Sequence, residues 1–245
     1  MNPLLLTAAM IPGLVISFWI YRQDRYEKEP RLLLLESFFW GCVSTIPAGW
    51  LQGFFKGMEH TDSLLSVGIF SFFIVALSEE LSKFVFLRFH AYKKDAFNEP
   101  MDGIVYAVMV AMGFATLENI LYSFGNHGGY STALARALTA VPAHASFAVL
   151  MGAYVGLAKF VPEKRNGYMV LGVGLAVFFH GLYDFFLIQK SFAGLGFLSI
   201  VTLVIGITLS RNLIKIGQDI SPFKNMGNTP EIVENEDKMR ENDLI

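Results

Sequence analysis

Residues 75–89 read VALSEELSKFVFLRF, and this stretch decides what kind of fold the chain can adopt. It is apolar enough for lipid, yet it carries Glu79, Glu80 and Lys83. An ionised side chain at the centre of a membrane helix costs roughly 2.5–3.5 kcal/mol on insertion scales. Three of them facing lipid would cost on the order of 8–10 kcal/mol. They must therefore face protein or water, pair with one another, or stay neutral. Helical spacing allows pairing, because Lys83 is i+4 from Glu79 and i+3 from Glu80. The two glutamates point about 100° apart, so both reach the lysine but cannot do the same job.

The rest of the chain supports a membrane setting. Of its 245 residues, 53% are hydrophobic and 16% charged, and mean hydropathy is +0.47. A soluble domain carries nearer a quarter charged residues. The apolar residues gather in runs of spanning length, at about 3–21, 31–55, 64–89, 101–124, 132–159, 168–189 and 194–214. Seven spans joined by short connectors predict an all-α fold, a polytopic membrane helix bundle occupying residues 1–216. One set of connectors and flanks holds Arg22, Arg25, Lys28, Arg31, Arg88, Lys93, Lys94, Lys159, Lys164 and Arg165, and the alternate set only Lys56 and Lys190. That bias predicts an amino terminus outside and a carboxyl terminus in the cytoplasm. Residues 217–245 carry seven acidic and three basic groups and read as an acidic, disordered cytoplasmic tail. No cleavable leader and no nucleic-acid-binding basic face are expected, and the single Cys42 excludes an intrachain disulfide. Gly49, Gly53 and Gly57 fall four apart on the second span and are expected to admit another helix of the same chain.

Other spans carry ionisable residues too. GFATLENILY holds Glu118 and Asn119, VPAHASF holds His144, and FFHGLYDFF holds His180 and Asp184 one helical turn apart. Four helices thus bring polar groups to one layer, which is how a site is built inside a bundle. Each group also has a structural reading. Lys83 could only neutralise Glu79, and His144 could satisfy a carbonyl freed by Pro142. Glu118 could pair with Arg136, Asp184 could only orient His180, and Glu36 could be structural near the interface. His127 sits in a glycine-rich outer loop. Convergence at one depth favours function, because intramembrane ionisable groups mark working sites.

The chemistry available is that of carboxylates and imidazoles. No nucleophile motif is present, whereas a glutamate held away from bulk water can take a proton from water, and a histidine opposite can stabilise an oxyanion. Two histidines and several carboxylates are also respectable zinc ligands. HExxH is absent and no two of these histidines share a helix, so metal-free chemistry is expected, with zinc as the alternative. A proton- or ion-coupled transporter would line its path with the same residue types, but should show inverted repeats, and none is visible.

SEELSK at 78–83, FATLEN at 114–119 and HGLYD at 180–184, with NEPMDG at 98–103, resemble the PrsW family of bacterial intramembrane proteases. That group is distantly similar to the CAAX prenyl endopeptidases (the Abi group). The resemblance spans about residues 70–190. It implies an endopeptidase of the bacterial inner (plasma) membrane whose essential residues are Glu79, Glu80 and His180. Its implied partner is a membrane-anchored protein substrate in the lipid bilayer, the family role being the first cut of an anti-sigma factor. Lys83 stands where the CAAX group's EExxxR arginine would come one residue later, which speaks against prenylated substrates. One of Glu79 and Glu80, with Glu80 favoured, is expected to activate water, and the other to be held by Lys83. His180 is expected to stabilise the oxyanion, oriented by Asp184. Glu118, Asn119 and His144 are expected to complete the chamber. Substrate identity and oligomeric state are not written in the sequence.

Overall fold

Among the described residues, seven segments are long and apolar enough to cross a membrane, and in the computed structural model all seven are helical. Residues 2–55, 57, 63–126 and 128–225 are described, and no strand occurs among them. The first two spans are α1 (Pro3–Gln23) and α2 (Arg31–Phe54). The third is composite: α3 (Leu64–Ile69), a π-helical stretch over Phe70–Ala76, and α4 (Leu77–Phe89). The fourth is α5 (Pro100–Phe124), and the fifth is α6 (Tyr130–Leu138) followed after a break at Thr139 by α7 (Ala140–Phe160). α8 (Arg165–Ile188) and α9 (Phe197–Asp219) complete the bundle. Expected and observed boundaries agree to within a few residues at most ends. The exceptions are the sixth span, which starts at Pro162, and the seventh, which runs on to Asp219. The tail was expected to begin at 217, but residues 217–219 still belong to α9; 226–245 lie outside the described residues, as does His127.

α5 is the axis. It packs against α1, α2 and α7, and nearly every residue from Met101 to Thr116 is buried. Such close packing needs glycine. A Cβ on Gly103 would fall on the Gly152 carbonyl oxygen and within 2.6 Å of the Gly156 Cα, so α5 and α7 touch backbone to backbone. α2 meets α5 likewise, with Gly113 against the Phe38 carbonyl and Gly41 against that of Val110. Gly49, Gly53 and Gly57 do not have this role. A Cβ on any of them would meet nothing within 4 Å among the described residues, so the expected in-chain contact is not seen there. That part of α2 faces outward with Ile46, Trp50 and Phe54, all at least 66% exposed, spaced as a lipid-facing stripe. α9 packs against α7 and α8, and its Ser210 hydroxyl donates to the Gly206 and Ser146 carbonyls.

Two irregularities set the site. The π-helical stretch ends two residues before Ser78, and wide turns of this kind concentrate at functional sites. In the fifth span the break at Thr139 leaves Pro142 in the first turn of α7, where its missing N–H is tolerated.

Candidate active site

α4 presents Ser78, Glu79, Glu80 and Lys83 to the bundle interior, all buried. The Lys83 ammonium donates to Glu80 Oε1 at 2.7 Å and lies 3.5 Å from Glu79 Oε2. Its remaining contacts are His144 Nδ1 at 3.1 Å and the Phe114 ring face, 4.0 Å from the centroid. Because the ammonium can only donate, His144 Nδ1 accepts, and the imidazole proton sits on Nε2, which faces Glu118 Oε2 at 3.0 Å. Arg136 donates to the same Glu118 oxygen at 2.6 Å and stacks over Tyr122.

His180 arrives from α8 with carboxylates on both sides. Nδ1 is 2.8 Å from Glu80 Oε1, and Nε2 is 3.2 Å from Asp184 Oδ2 and 3.8 Å from Glu79 Oε2. Phe147 stacks on its ring and His144 meets it edge-on. α8 comes close enough because residue 181 is glycine: a Cβ there would lie 2.7 Å from a ring carbon of Phe72, in the π-helical stretch.

These groups wall a cavity of about 260 Å³ lined by Gln52, Glu79, Glu118, Arg136, His144 and His180, among others. The lining extends to Tyr122 and Leu187, both more than half exposed, so the cavity reaches the surface at the end of the bundle bearing the 125–129 and 189–196 connectors. Glu79 lines it and Glu80 does not. Glu80 is 1% exposed and held by Lys83 and His180, behind the wall.

The structure brings together Glu79, Glu80, Lys83, Glu118, His144, His180 and Asp184. It does not bring in Asn119. The Asn119 amide is fully buried on another side of α5, donating to the Ala9 carbonyl of α1 at 2.8 Å. His144 hydrogen-bonds to Lys83 and Glu118 rather than capping a carbonyl near Pro142. Glu36 pairs with His90 at 3.2 Å, away from the site. Sequence reasoning missed Gln52, whose amide donates to Glu79 Oε1 at 3.0 Å. A lone glutamine inside an apolar span was the available signal.

A second acidic group lies near the basic connectors. Burial pushes the Asp24 carboxyl up to about 6 and that of Glu99 up to about 7. Burial, reinforced by Asp102 beside it, pushes Glu29 up to about 11.

Fold and site define a polytopic membrane protein with a buried carboxylate–imidazole centre suited to hydrolysis. Residues 29–209 match the family described as PrsW family intramembrane metalloprotease. The chain is 40% identical to Protease PrsW of Geobacillus kaustophilus over 186 residues, covering 76% of this chain and 80% of that protein. It is 38% identical to Protease PrsW of Bacillus subtilis over 192 residues, covering 76% and 84%. No solved structure matches the chain. The chain belongs to the PrsW family of intramembrane proteases, as its motifs suggested.

The family's description names a metal, and the donor set fits one in kind. One donor atom from each of Glu79, Glu80, His144 and His180 lies within 4.8 Å of the others, all four side chains buried. Mixed imidazole and carboxylate donors suit zinc. Lys83, however, places an ammonium against three of these four residues.

Proposed function

We propose that this protein is a site-1-type endopeptidase that cuts a membrane-anchored protein near the membrane surface, using water activated by Glu79. The observation that carries this reading is the cavity: it meets Glu79, not Glu80, and reaches the surface at the end that the charge bias puts outside the cytoplasm. This reverses the order expected from sequence, in which Glu80 was the favoured base. Gln52 fixes Oε1 of Glu79, and Oε2 lies 3.5 Å from Lys83 Nζ and 3.8 Å from His180 Nε2, with Glu79 at the cavity wall where water can reach it. Glu79 takes a proton as the water oxygen adds to the scissile carbonyl carbon, and that proton then passes to the departing amine as the C–N bond breaks. His180 is held with Nδ1 against Glu80 and Nε2 against Asp184; it stabilises the oxyanion by turning the Nε2–H from Asp184 to the substrate oxygen. Glu80 and Lys83 keep that imidazole in place, and Glu118 with Arg136 fixes His144.

Lys83 supports a metal-free centre, because the chain supplies its own cation among these carboxylates. A second reading rests on the four-donor cluster. A zinc ion held by Glu79, Glu80, His144 and His180 would supply Lewis acidity to the substrate carbonyl. An anti-sigma factor is the substrate class to which the family resemblance points.

The test compares new protein termini, by terminus-labelling mass spectrometry, in cells making native protein or Glu79→Gln at equal levels. Termini near membrane spans seen only with the native protein, and zinc-free protein that still cuts, are the expected results. Full cutting by Glu79→Gln would overturn the assignment of the base. Stoichiometric zinc in active protein, with activity lost on its removal, would replace the metal-free reading by the second.

A further inference from the structure

The connector between α1 and α2 folds back against the start of α5 and buries acids there without counter-charges. Asp102 Oδ2 accepts the backbone N–H groups of Asn98 and Glu99, at 2.6 and 2.8 Å. Glu29 Oε2 accepts the Tyr106 hydroxyl, and Asp24 Oδ2 accepts the Glu29 N–H at 3.2 Å. In Asp24, Glu29 and Asp102 one carboxylate oxygen is anchored and the other is bare. Glu27 Oε2, Glu29 Oε1 and Asp102 Oδ1 are buried with no hydrogen-bond partner, as are Asp24 Oδ1 and Glu99 Oε2. Glu29 is 2% exposed and Asp102 0%. The nearest lysines are engaged elsewhere. Lys28 Nζ donates to the Tyr21 and Asp24 carbonyls, and Lys159 Nζ to those of Tyr92 and Lys94. Among the described residues, no ion pair reaches any of the five acids.

We propose that Glu27, Glu29 and Asp102 form a binding site for one hard divalent cation of the calcium–magnesium class. One carboxylate oxygen from each of the three lies within 4.8 Å of the others. Oxygens on opposite sides of a calcium ion, each bonded at 2.3–2.6 Å, are roughly 4.6–5.2 Å apart, so three oxygens no farther apart than this can share one such ion. Oxygen-only donors favour these ions over zinc or copper. The anchoring bonds from Tyr106, Asn98 and Glu99 supply the outer support that orients ligands in metal sites. An ion here would tie the first connector to the central helix.

The alternative compensation is protons shared among the acids, and the two separate by experiment. Full-length protein in detergent, stripped with chelator at pH 7.5, is titrated with Ca²⁺, Mg²⁺ or Mn²⁺. Thermal unfolding is followed, and bound Mn²⁺ is counted by electron paramagnetic resonance. Native protein should show saturable binding of about one ion per chain and a rise in Tm of roughly 5 °C or more at saturation. The Glu29→Gln/Asp102→Asn double variant should lose both, whereas Glu79→Gln should keep both. Glu27→Gln, at the more exposed edge, should fold and bind about tenfold more weakly, which covers the case of a double variant that does not accumulate. No saturable response in native protein overturns the proposal and leaves shared protons. A response lost in Glu79→Gln but kept in Glu27→Gln overturns it by moving the ion to the carboxylate–imidazole centre.

Discussion

Two groups of buried carboxylates sit at different heights in this bundle, and the chain treats them in opposite ways. At the active site every acid meets a donor from the protein: Glu80 has Lys83 and His180, Glu118 has Arg136 and His144, Asp184 has His180, and Glu79 has the Gln52 amide. Near the basic connectors, Asp24, Glu27, Glu29, Glu99 and Asp102 each keep a buried oxygen without a partner. The difference follows from the solvent. In the hydrocarbon layer nothing soluble can neutralise a charge, so compensation has to be encoded in side chains. At the membrane surface an ion or a proton can do it.

That contrast can be broken or sharpened by substitution. The largest effect is expected for Glu79→Gln, which keeps shape and removes the base. Cleavage should fall by about 100-fold or more, measured on reconstituted protein with a substrate found by terminus labelling, while membrane levels stay near native. Next comes Lys83→Met, which leaves Glu80 buried without its ammonium. Removing one partner of a buried ion pair costs about 3–5 kcal/mol, so thermal unfolding in detergent should drop by roughly 10 °C; an unchanged midpoint would show that His180 alone suffices. Asn119→Ala strands the Ala9 carbonyl and should cost about 1–3 kcal/mol of stability, with cleavage per folded molecule unaltered. A selective loss of turnover would return Asn119 to the site. The smallest effect has the opposite sign. Glu99→Gln neutralises an unpaired acid next to the proposed cation site and should stabilise cation-free protein by about 1 kcal/mol at pH 8; destabilisation there would end the contrast between the two clusters.

How much of this was legible in the sequence depended on whether a residue looked expensive where it stood. Seven spans and the layer of Glu79, Glu80, Lys83, Glu118, His144, His180 and Asp184 could be read because charge inside an apolar run demands an explanation. Asn119 carried the same signal, but helical phase turned it toward Ala9, and one sequence cannot say which neighbour a face meets. The same ambiguity hid the difference between Glu79 and Glu80, which lies in what each faces across the bundle. Glycine spacing misled: the regular Gly49, Gly53 and Gly57 face outward, while the close approaches pair Gly103 with Gly152 and Gly156, far apart in the chain. The connector acids raised no alarm, because acids in polar connectors are ordinarily solvated. Only the fold shows that these are buried.

The π-helical stretch over Phe70–Ala76 has a consequence for how this centre could be lost or tuned over time. A wide turn amounts to one surplus residue in an otherwise α-helical span. Regular α winding of the same residues would swing one end of the span by about 100° relative to the other. Either Glu79 and Glu80 would leave the chamber, or α3 would lose its seating. The catalytic reading frame of the third span is thus set by residues that carry no reacting group. Substitutions among these aromatic and aliphatic positions that restore α winding are as serious a lesion as replacing a glutamate.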